Sequence, residues 1–212
     1  MNPPAARIEI TRDTYFGTVV EDPYRWLEDW KGQEARDWVA AQGDFSRRYL
    51  QALPERTSLL ARISALSGAA PLLSRFQVTG DRVFYLRRNP GQDLAALVTR
   101  PTPEAPERVL FDPNVLEGPV HTAIDWYVAS RDGARVALGL SQGGSEDSVL
   151  QVLEVDDGQL LGLRISRVMF GNVSWLADNR SFLYHRLSEL PVGAPENEKF
   201  NNSRTYLHRL GG

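Results

Sequence analysis

The chain has 212 residues, 42% of them hydrophobic, which is enough to bury a core in one large domain or two small ones. Its 24 basic and 27 acidic residues leave a formal charge of -3, so we expect neither nucleic acid nor an anionic membrane surface as a partner. Cysteine does not occur, which excludes disulfides, thiolate metal sites and a cysteine nucleophile, and favours a reducing compartment.

The N-terminal stretch MNPPAARIEITRD has no apolar core of the length that a secretory signal requires. No apolar run in the sequence approaches the ~18 residues of a membrane span. We therefore expect a cytoplasmic protein.

Apolar residues recur at helical spacing from about residue 22 to residue 67. Asp22 and Pro23 are expected to open a short first helix, because Asp caps free backbone amides and Pro is tolerated in the first turn. Pro54 is expected to start a third helix. One face of the second helix carries Ala35, Trp38, Val39, Gln42, Phe45 and Tyr49, and the third is predicted to bury Leu59, Leu60, Ile63 and Leu66.

After Gly68 the apolar residues recur about every second position, and short segments are separated by Gly, Asp, Asn and Pro. This pattern indicates β-strands. A turn acid precedes one strand in each of three groups, and these acids are Asp81, Asp132 and Asp178. Trp126 and Trp175 lie just upstream of two of these turns. A four-stranded unit of roughly 40–50 residues is the period of a β-propeller blade.

The first two units are predicted to have all four strands, with Asp157-Gly158 as a hairpin turn before the strand QLLGLRI. The third unit has FGNVSW, SFLYHRL and TYLHRL, and its fourth strand is missing where the sequence stops at Gly211-Gly212. The expected fold class is α+β, with helices in residues 1–70 and about two and three-quarter blades of an incomplete propeller in residues 71–212. Exposed strand edges would remain, so we expect a piece of a longer protein.

Several short motifs carry a family resemblance. The most specific is DPYRWLED at residues 22–29, followed by the helix with WVAAQ at 38–42, the turn FDPN at 111–114 and the blade turn SRDG at 130–133. The order and spacing continue with Gly139-Leu140-Ser141, Gly144-Ser145, Val168-Met169-Phe170, Ser174-Trp175 and TYLHRLG at 205–211. On these residues the chain resembles the N-terminal part of prolyl oligopeptidases, serine peptidases that cut short peptides after proline.

The resemblance implies a seven-bladed propeller inserted between N-terminal helices and an α/β-hydrolase domain that bears Ser, Asp and His. In such enzymes the helical segment packs on the hydrolase domain, and the propeller covers the catalytic cavity and excludes folded proteins. The hydrolase domain would lie beyond residue 212. The implied partners are short proline-containing peptides, bound through the full enzyme, and the missing hydrolase domain, in cis or in trans.

A catalytic triad within the chain is not expected. The nearest approach to a Gly-x-Ser-x-Gly elbow is Gly143-Gly144-Ser145-Glu146-Asp147, which ends in Asp and precedes a strand, so we interpret it as a polar hairpin loop. His185 follows Ser145 in the order that a triad would allow, but neither flank fits the elbow. The three histidines, His121, His185 and His208, lack the spacing of a metal site, and we expect no cofactor and no metal.

Two residues are candidates for binding. Phe170 falls where the resemblance implies an aromatic wall of an apolar subsite for the substrate residue two before the proline, although an ordinary blade-packing aromatic is an equal alternative. Glu146 aligns approximately with an acidic residue that the family uses near the interface between propeller and hydrolase domain.

Three hypotheses follow. The leading one is the N-terminal segment of a prolyl oligopeptidase-like serine peptidase that is inactive alone. The second is a propeller module that docks on a separately encoded hydrolase chain. The third is a truncated product without a function.

Overall fold

The computed structural model describes residues 2–102, 104–171 and 173–211, and the chain divides into two compact units, one up to Leu66 and one from Ser67 onward. The first unit begins with a hairpin of β1 (Thr11–Tyr15) and β2 (Thr18–Asp22). Its two turn residues, Phe16 and Gly17, have φ angles of 50° and 84°, the combination that matches the twist of a two-residue hairpin. Sequence reasoning does not predict this hairpin, although an x-Gly pair flanked by β-branched residues is a signal for one.

The short first helix is a 3-10 helix, Arg25–Glu28. Asp22 Oδ1 accepts a hydrogen bond of 2.9 Å from the backbone amide of Tyr24, and Asp22 Oδ2 accepts one of 2.9 Å from Arg25 Nε. The Asp22 carboxylate therefore accepts from a backbone amide just before the helix, but the N-cap residue is Tyr24, which has no side-chain cap bond, so the prediction that Asp22 caps the helix is wrong. The helix has a single turn because the chain bends again between Asp29 and Gly32.

Two α-helices follow, α1 (Gln33–Gln51) and α2 (Arg56–Ser67). The predicted burial of the α2 apolar residues is wrong, since the side chains of Leu59, Leu60, Ile63 and Leu66 are each 50–61% exposed. An apolar helix face predicts that another element packs on it. The described part of the first unit consists of one hairpin, one 3-10 helix and two α-helices, and none of them covers this face. The α1 face is partly covered: Ala35 is buried, whereas Val39 and Tyr49 are 43% and 55% exposed.

The second unit begins with blade 1, a four-stranded antiparallel sheet in sequential order. It consists of β3 (Leu72–Thr79), β4 (Arg82–Arg88), β5 (Ala96–Arg100) and β6 (Arg108–Phe111). Blade 1 is therefore whole, as the strand count predicts. A 3-10 helix, Pro113–Val115, follows, and the Asp112 carboxylate caps it by accepting from the amide of Asn114.

Blade 2 contains β7 (Thr122–Ala129), β8 (Arg135–Gln142) and β9 (Val149–Glu154), again in sequential antiparallel order. The predicted fourth strand, residues 159–165, forms only two isolated bridges, Leu153 with Leu160 and Leu150 with Ile165. Gly162, at φ 76°, interrupts the extended backbone between these bridges. The expectation of a complete second blade is corrected to three strands and a bridged edge segment.

Blade 3 contains β10 (Val173–Trp175), β11 (Ser181–Arg186) and β12 (Arg204–Arg209). Asn172 of the predicted strand FGNVSW, and Gly212, lie outside the described residues. Within the described residues blade 3 has three strands, as the sequence predicts, and none of the sheets closes on itself. Helices followed by an incomplete β-propeller are therefore the fold of this chain.

The core of the second unit lies between consecutive blades. Blades 1 and 2 share one buried apolar cluster that includes Phe84, Leu97 and Tyr127, and blades 2 and 3 share another that includes Trp126, Trp175 and Phe182. Side chains also bond backbone across each junction. Gln77 Nε2 donates to Tyr127 O at 2.8 Å, and Trp175 Nε1 donates to Val128 O at 3.0 Å.

No helix in the described part of the chain is both long and apolar enough to span a bilayer.

Candidate functional site

Phe170 ends an irregular segment that connects blade 2 to blade 3, and its side chain is 54% exposed. The residues that frame this turn, Arg167 and Gly171, have φ angles of 66° and 63°. Left-handed backbone is costly for a residue with a Cβ and persists where its surroundings impose it. The chain is therefore bent sharply on both sides of Phe170.

The buried side chain of Trp126 packs against this segment. Trp126 Nε1 donates a 3.2 Å hydrogen bond to the carbonyl of Val168, which is itself buried. A Cβ built on Gly171 would lie 2.5 Å from Trp126 Cγ, so only glycine allows the backbone to approach the indole this closely. The ring of Phe170 thus projects outward from a fixed backbone.

Two further rings adjoin Phe170 and form what we call the aromatic cluster, Phe170, His185 and Phe200. The ring centroid of Phe170 is 6.3 Å from that of His185 on β11 and 6.2 Å from that of Phe200. Phe200 ends a 3-10 helix, Glu196–Phe200, and is 46% exposed. Sequence reasoning does not single out Phe200, although it is the sole aromatic residue of the polar loop 188–203.

The loop that carries Phe200 is closed at its base. The backbone amide of Ser188 donates to Lys199 O at 2.9 Å, and the amide of Ala194 donates to Pro191 O at 3.1 Å. The Ser188 hydroxyl also donates to Asn201 O. The two bonds of Ser188 join the two ends of the loop and hold Phe200 beside Phe170.

A cavity of about 440 Å³ lies next to the aromatic cluster, and Lys199 connects the two, because its Nζ lies 5.4 Å from the centroid of the Phe200 ring. Arg167 forms an ion pair of 3.1 Å with Glu189, and Arg186 Nε donates to Ser166 O at 3.0 Å. The charged lining of the cavity comprises Asp147, Arg167, Arg186, Glu189, Glu196 and Lys199. The walls therefore offer both hydrogen-bond donors and acceptors.

Glu146 lies in the loop between β8 and β9, is exposed, and has a left-handed backbone with φ 57°. The stems of this loop are fixed by a carboxylate at the β-bulge of β7. Asp125 Oδ1 accepts from Ser141 Oγ at 2.8 Å and Oδ2 accepts from Ser148 Oγ at 2.5 Å, and both serines are buried. We call Asp125, Ser141 and Ser148 the loop clamp; no sequence motif points to it.

Ser145 belongs to the same loop, and its surroundings are those of a hairpin rather than of a nucleophile elbow. Its Oγ accepts a 3.3 Å hydrogen bond from the Asp147 amide, and the loop joins two antiparallel strands instead of leading from a strand into a helix. The hairpin-loop interpretation is thus confirmed. His185 lies in the aromatic cluster and His208 packs against Phe182 at 5.3 Å.

The carbonyl of His121 accepts from the Gly143 amide at 2.9 Å, which ties the β7 end to the same loop. Within residues 2–102, 104–171 and 173–211, no three or more acidic or histidine side chains are grouped as a metal site would need.

The sequential antiparallel blades, the apolar clusters between them and the side-chain bonds across both junctions define the chain as a β-propeller segment preceded by helices. The family model for the prolyl oligopeptidase N-terminal beta-propeller domain matches residues 3–212 of the sequence. The chain belongs to the prolyl oligopeptidase family, and it represents the N-terminal propeller portion of that family.

Individual relatives agree with this assignment. The prolyl endopeptidase of Elizabethkingia meningoseptica is 28% identical over 94% of this chain and 28% of its own length. Prolyl oligopeptidase A of Amanita bisporigera is 27% identical over 98% of this chain and 31% of its own length. The chain thus spans less than a third of either relative.

Solved structures show the same fold. One from a structural and mechanistic study of two prolyl endopeptidases superposes with a TM-score of 0.85 at 31% identity, covering 99% of this chain and 31% of the other. Prolyl oligopeptidase B of Galerina marginata, bound to a 35-residue substrate, superposes with a TM-score of 0.77 at 24% identity, and the match covers 100% of this chain and 32% of the other.

Proposed function

We propose that this chain supplies the N-terminal helical segment, here called the strap, and the first propeller blades of a serine peptidase that cleaves short peptides after proline. The catalytic serine, acid and histidine would come from an α/β-hydrolase domain outside these 212 residues, so that the chain alone is inactive. The propeller would act as a size filter over the catalytic cavity. In this proposal residues 1–70 form the strap and residues 71–212 the blades, the enzyme is cytoplasmic and needs no cofactor, and neither nucleic acid nor a membrane is a partner.

The observation that carries the proposal is the exposed apolar row on α2. Leu59, Ile63 and Leu66 project without cover, and Leu59 and Ile63 border an apolar groove of about 310 Å³ that the end of α1 also lines. A contiguous apolar surface of this kind marks a site of protein contact. A hydrolase domain packed on α2 would bury it.

Two residues receive roles in this proposal. Phe170 forms one wall of the apolar subsite for the residue two before the proline. Its half-exposed ring on a rigid backbone supports this role over simple blade packing, since a packing aromatic gains its stabilisation by being buried. Glu146, on the exposed loop 143–147, faces the interface between the propeller and the hydrolase domain.

The first experiment tests inactivity. Purified chain is incubated with a chromogenic proline reporter peptide, and we expect no release above background. Turnover that a serine-directed reagent abolishes would contradict the proposal, because the chain would then contain its own nucleophile.

The second experiment tests docking. The chain is co-expressed with the part of the Elizabethkingia meningoseptica relative that follows the stretch matching this chain, which in this proposal holds the remaining blades and the hydrolase domain. We expect the two to co-purify and to cleave the reporter. The variant L59K/I63K should abolish co-purification, while V115K, at an exposed valine of the second unit, should not. Success in trans would also favour a separately encoded hydrolase chain as partner, whereas failure of the wild-type chain to bind would count against a docking module.

A further inference from the structure

We infer that Phe200 and His185 are specificity-determining residues, and that together with Phe170 they form an aromatic platform for a bulky apolar or aromatic side chain of a proline-containing peptide. This inference rests on the proposed function, and it extends the subsite to residues from two additional segments of the chain.

The first support is geometric. The three rings come from separate segments, the turn before β10, strand β11 and the 3-10 helix of loop 188–203. The centroids of His185 and Phe200 nevertheless lie 6.3 Å and 6.2 Å from the centroid of Phe170. Interplanar angles of 42° and 38° make the contacts tilted rather than stacked. Rings inclined in this way can contact an added ring or branched side chain by edge-to-face and offset packing.

The second support is the combination of exposure and rigidity. Phe170 and Phe200 each leave about half of their surface open. Their backbones are nevertheless fixed, Phe170 by the contact of Gly171 with Trp126 and Phe200 by the bonds of Ser188 to Lys199 and Asn201. Exposed aromatic rings that need no ordering on binding give contact area at low entropic cost.

The third support is the adjoining cavity. Among the described side chains, neither Lys199 Nζ nor the Arg186 guanidinium is paired with a carboxylate: Lys199 lies over the Phe200 ring, and Arg186 donates to Ser166. Both line the 440 Å³ cavity. A peptide that places a side chain on the platform can therefore direct backbone carbonyls toward N–H donors, which an isolated apolar ligand could not exploit.

The test is an NMR titration of the isotope-labelled 212-residue chain with two probes, acetyl-Phe-Ala-Pro-amide and acetyl-Gly-Ala-Pro-amide. The wild-type chain should bind the first probe more tightly, with shifts at Phe170, His185 and Phe200. The variants F200A and H185A should weaken binding of the phenylalanine probe by roughly three- to tenfold, the worth of one aromatic pair, and leave the glycine probe unchanged. The variant F200L, which keeps apolar volume without a ring, should fall between wild type and F200A.

The matched control is F76A. Phe76 is 57% exposed and stacks on Tyr85 at 5.1 Å in blade 1, so this variant removes a similar exposed ring at a different place. It should bind both probes as the wild-type chain does. Amide spectra of all variants confirm folding before titration.

The outcomes separate this inference from the proposed function. If F170A weakens the phenylalanine probe while F200A, F200L and H185A all match F76A, the platform is overturned and the Phe170 subsite stands. If neither probe shifts any resonance of the wild-type chain, the peptide-binding role and the platform are both overturned.

Discussion

Gly171 lies directly against the indole of Trp126, at a separation that leaves no room for a side chain. The contact joins blade 2 to the turn that presents Phe170, and the turn also requires a positive φ. Rigidity at the candidate site therefore depends on a residue with no side chain.

We predict that G171A destabilises the chain by more than the backbone penalty alone. A left-handed alanine costs roughly 1–2 kcal/mol, and displacement of Trp126 adds to this. The control is G144A, because Gly144 has φ 72° and nothing within 4 Å of its Cβ position. Urea unfolding followed by tryptophan fluorescence measures both. Equal losses of unfolding free energy in the two variants would contradict the prediction, because they would show that displacement of Trp126 adds no destabilisation.

The loop clamp gives a second prediction. D125A should destabilise the chain by roughly 1–3 kcal/mol or more, since it leaves the buried Ser141 hydroxyl without an acceptor and the Ser148 hydroxyl with only a 3.4 Å bond to Glu146 O. The triple variant D125A/S141A/S148A should recover most of that loss, because replacing both partners of a buried hydrogen bond by apolar groups is nearly neutral. The measurement is a mutant cycle of unfolding free energies. Simple additivity of the three substitutions would contradict the clamp.

Asp178 gives a prediction on acid stability. Hydrogen bonds from the Ser181 hydroxyl at 2.7 Å, and then from the backbone amides of Ser181 and Arg180, lower the pKa of Asp178 to about 2. In the unfolded chain the pKa of an aspartate side chain is about 3.9. The ionised form of Asp178 is favoured in the folded state. Its contribution to the free energy of unfolding is therefore complete above about pH 4 and is lost as the pH falls from there through about 2.

The variants D178N and S181A should therefore both show a shallower loss of unfolding free energy between about pH 4 and pH 2 than the wild type. Urea titrations at a series of pH values measure this slope. In S181A the carboxyl resonance of Asp178 should also titrate at a higher pH, since the largest cause of the shift has been removed. An unchanged slope in D178N would show that this carboxylate does not contribute.

The exposed row on α2 gives a prediction for the isolated chain. L59K/I63K should reduce self-association and binding of a hydrophobic dye, because two exposed apolar side chains become charged. Unfolding free energy should change by no more than about 0.5 kcal/mol, as is usual at the surface. Sedimentation velocity measures the first effect and urea unfolding the second. A large loss of stability would mean that α2 packs inside the isolated chain after all.

Local patterns predict the blades well, because each strand and turn has its own signature in adjacent residues. Asp178 shows why: its carboxylate bonds residues two and three positions later, so the turn is encoded in one short segment. The bridged edge at residues 159–165 is harder to predict, since one glycine decides between a strand and two bridges.

The candidate site is less accessible to sequence reasoning, because its contacts join distant residues. Phe170 meets Phe200 across 30 positions, and Asp125 meets Ser148 across 23. Helical periodicity likewise indicates an apolar face on α2 but not the element that covers it, which is why the predicted burial of Leu59 and Ile63 is wrong.

The bonds that cross each blade junction also bear on how the polypeptide acquires its shape. Gln77 exchanges two hydrogen bonds with the backbone of β7, and Arg135 reaches Asn179 in the following blade. Among the described residues, every such bond links a blade to its immediate successor, so blade 2 can dock on blade 1 before any later blade exists. Assembly can then begin on the ribosome, at the N-terminal end, and advance one blade at a time.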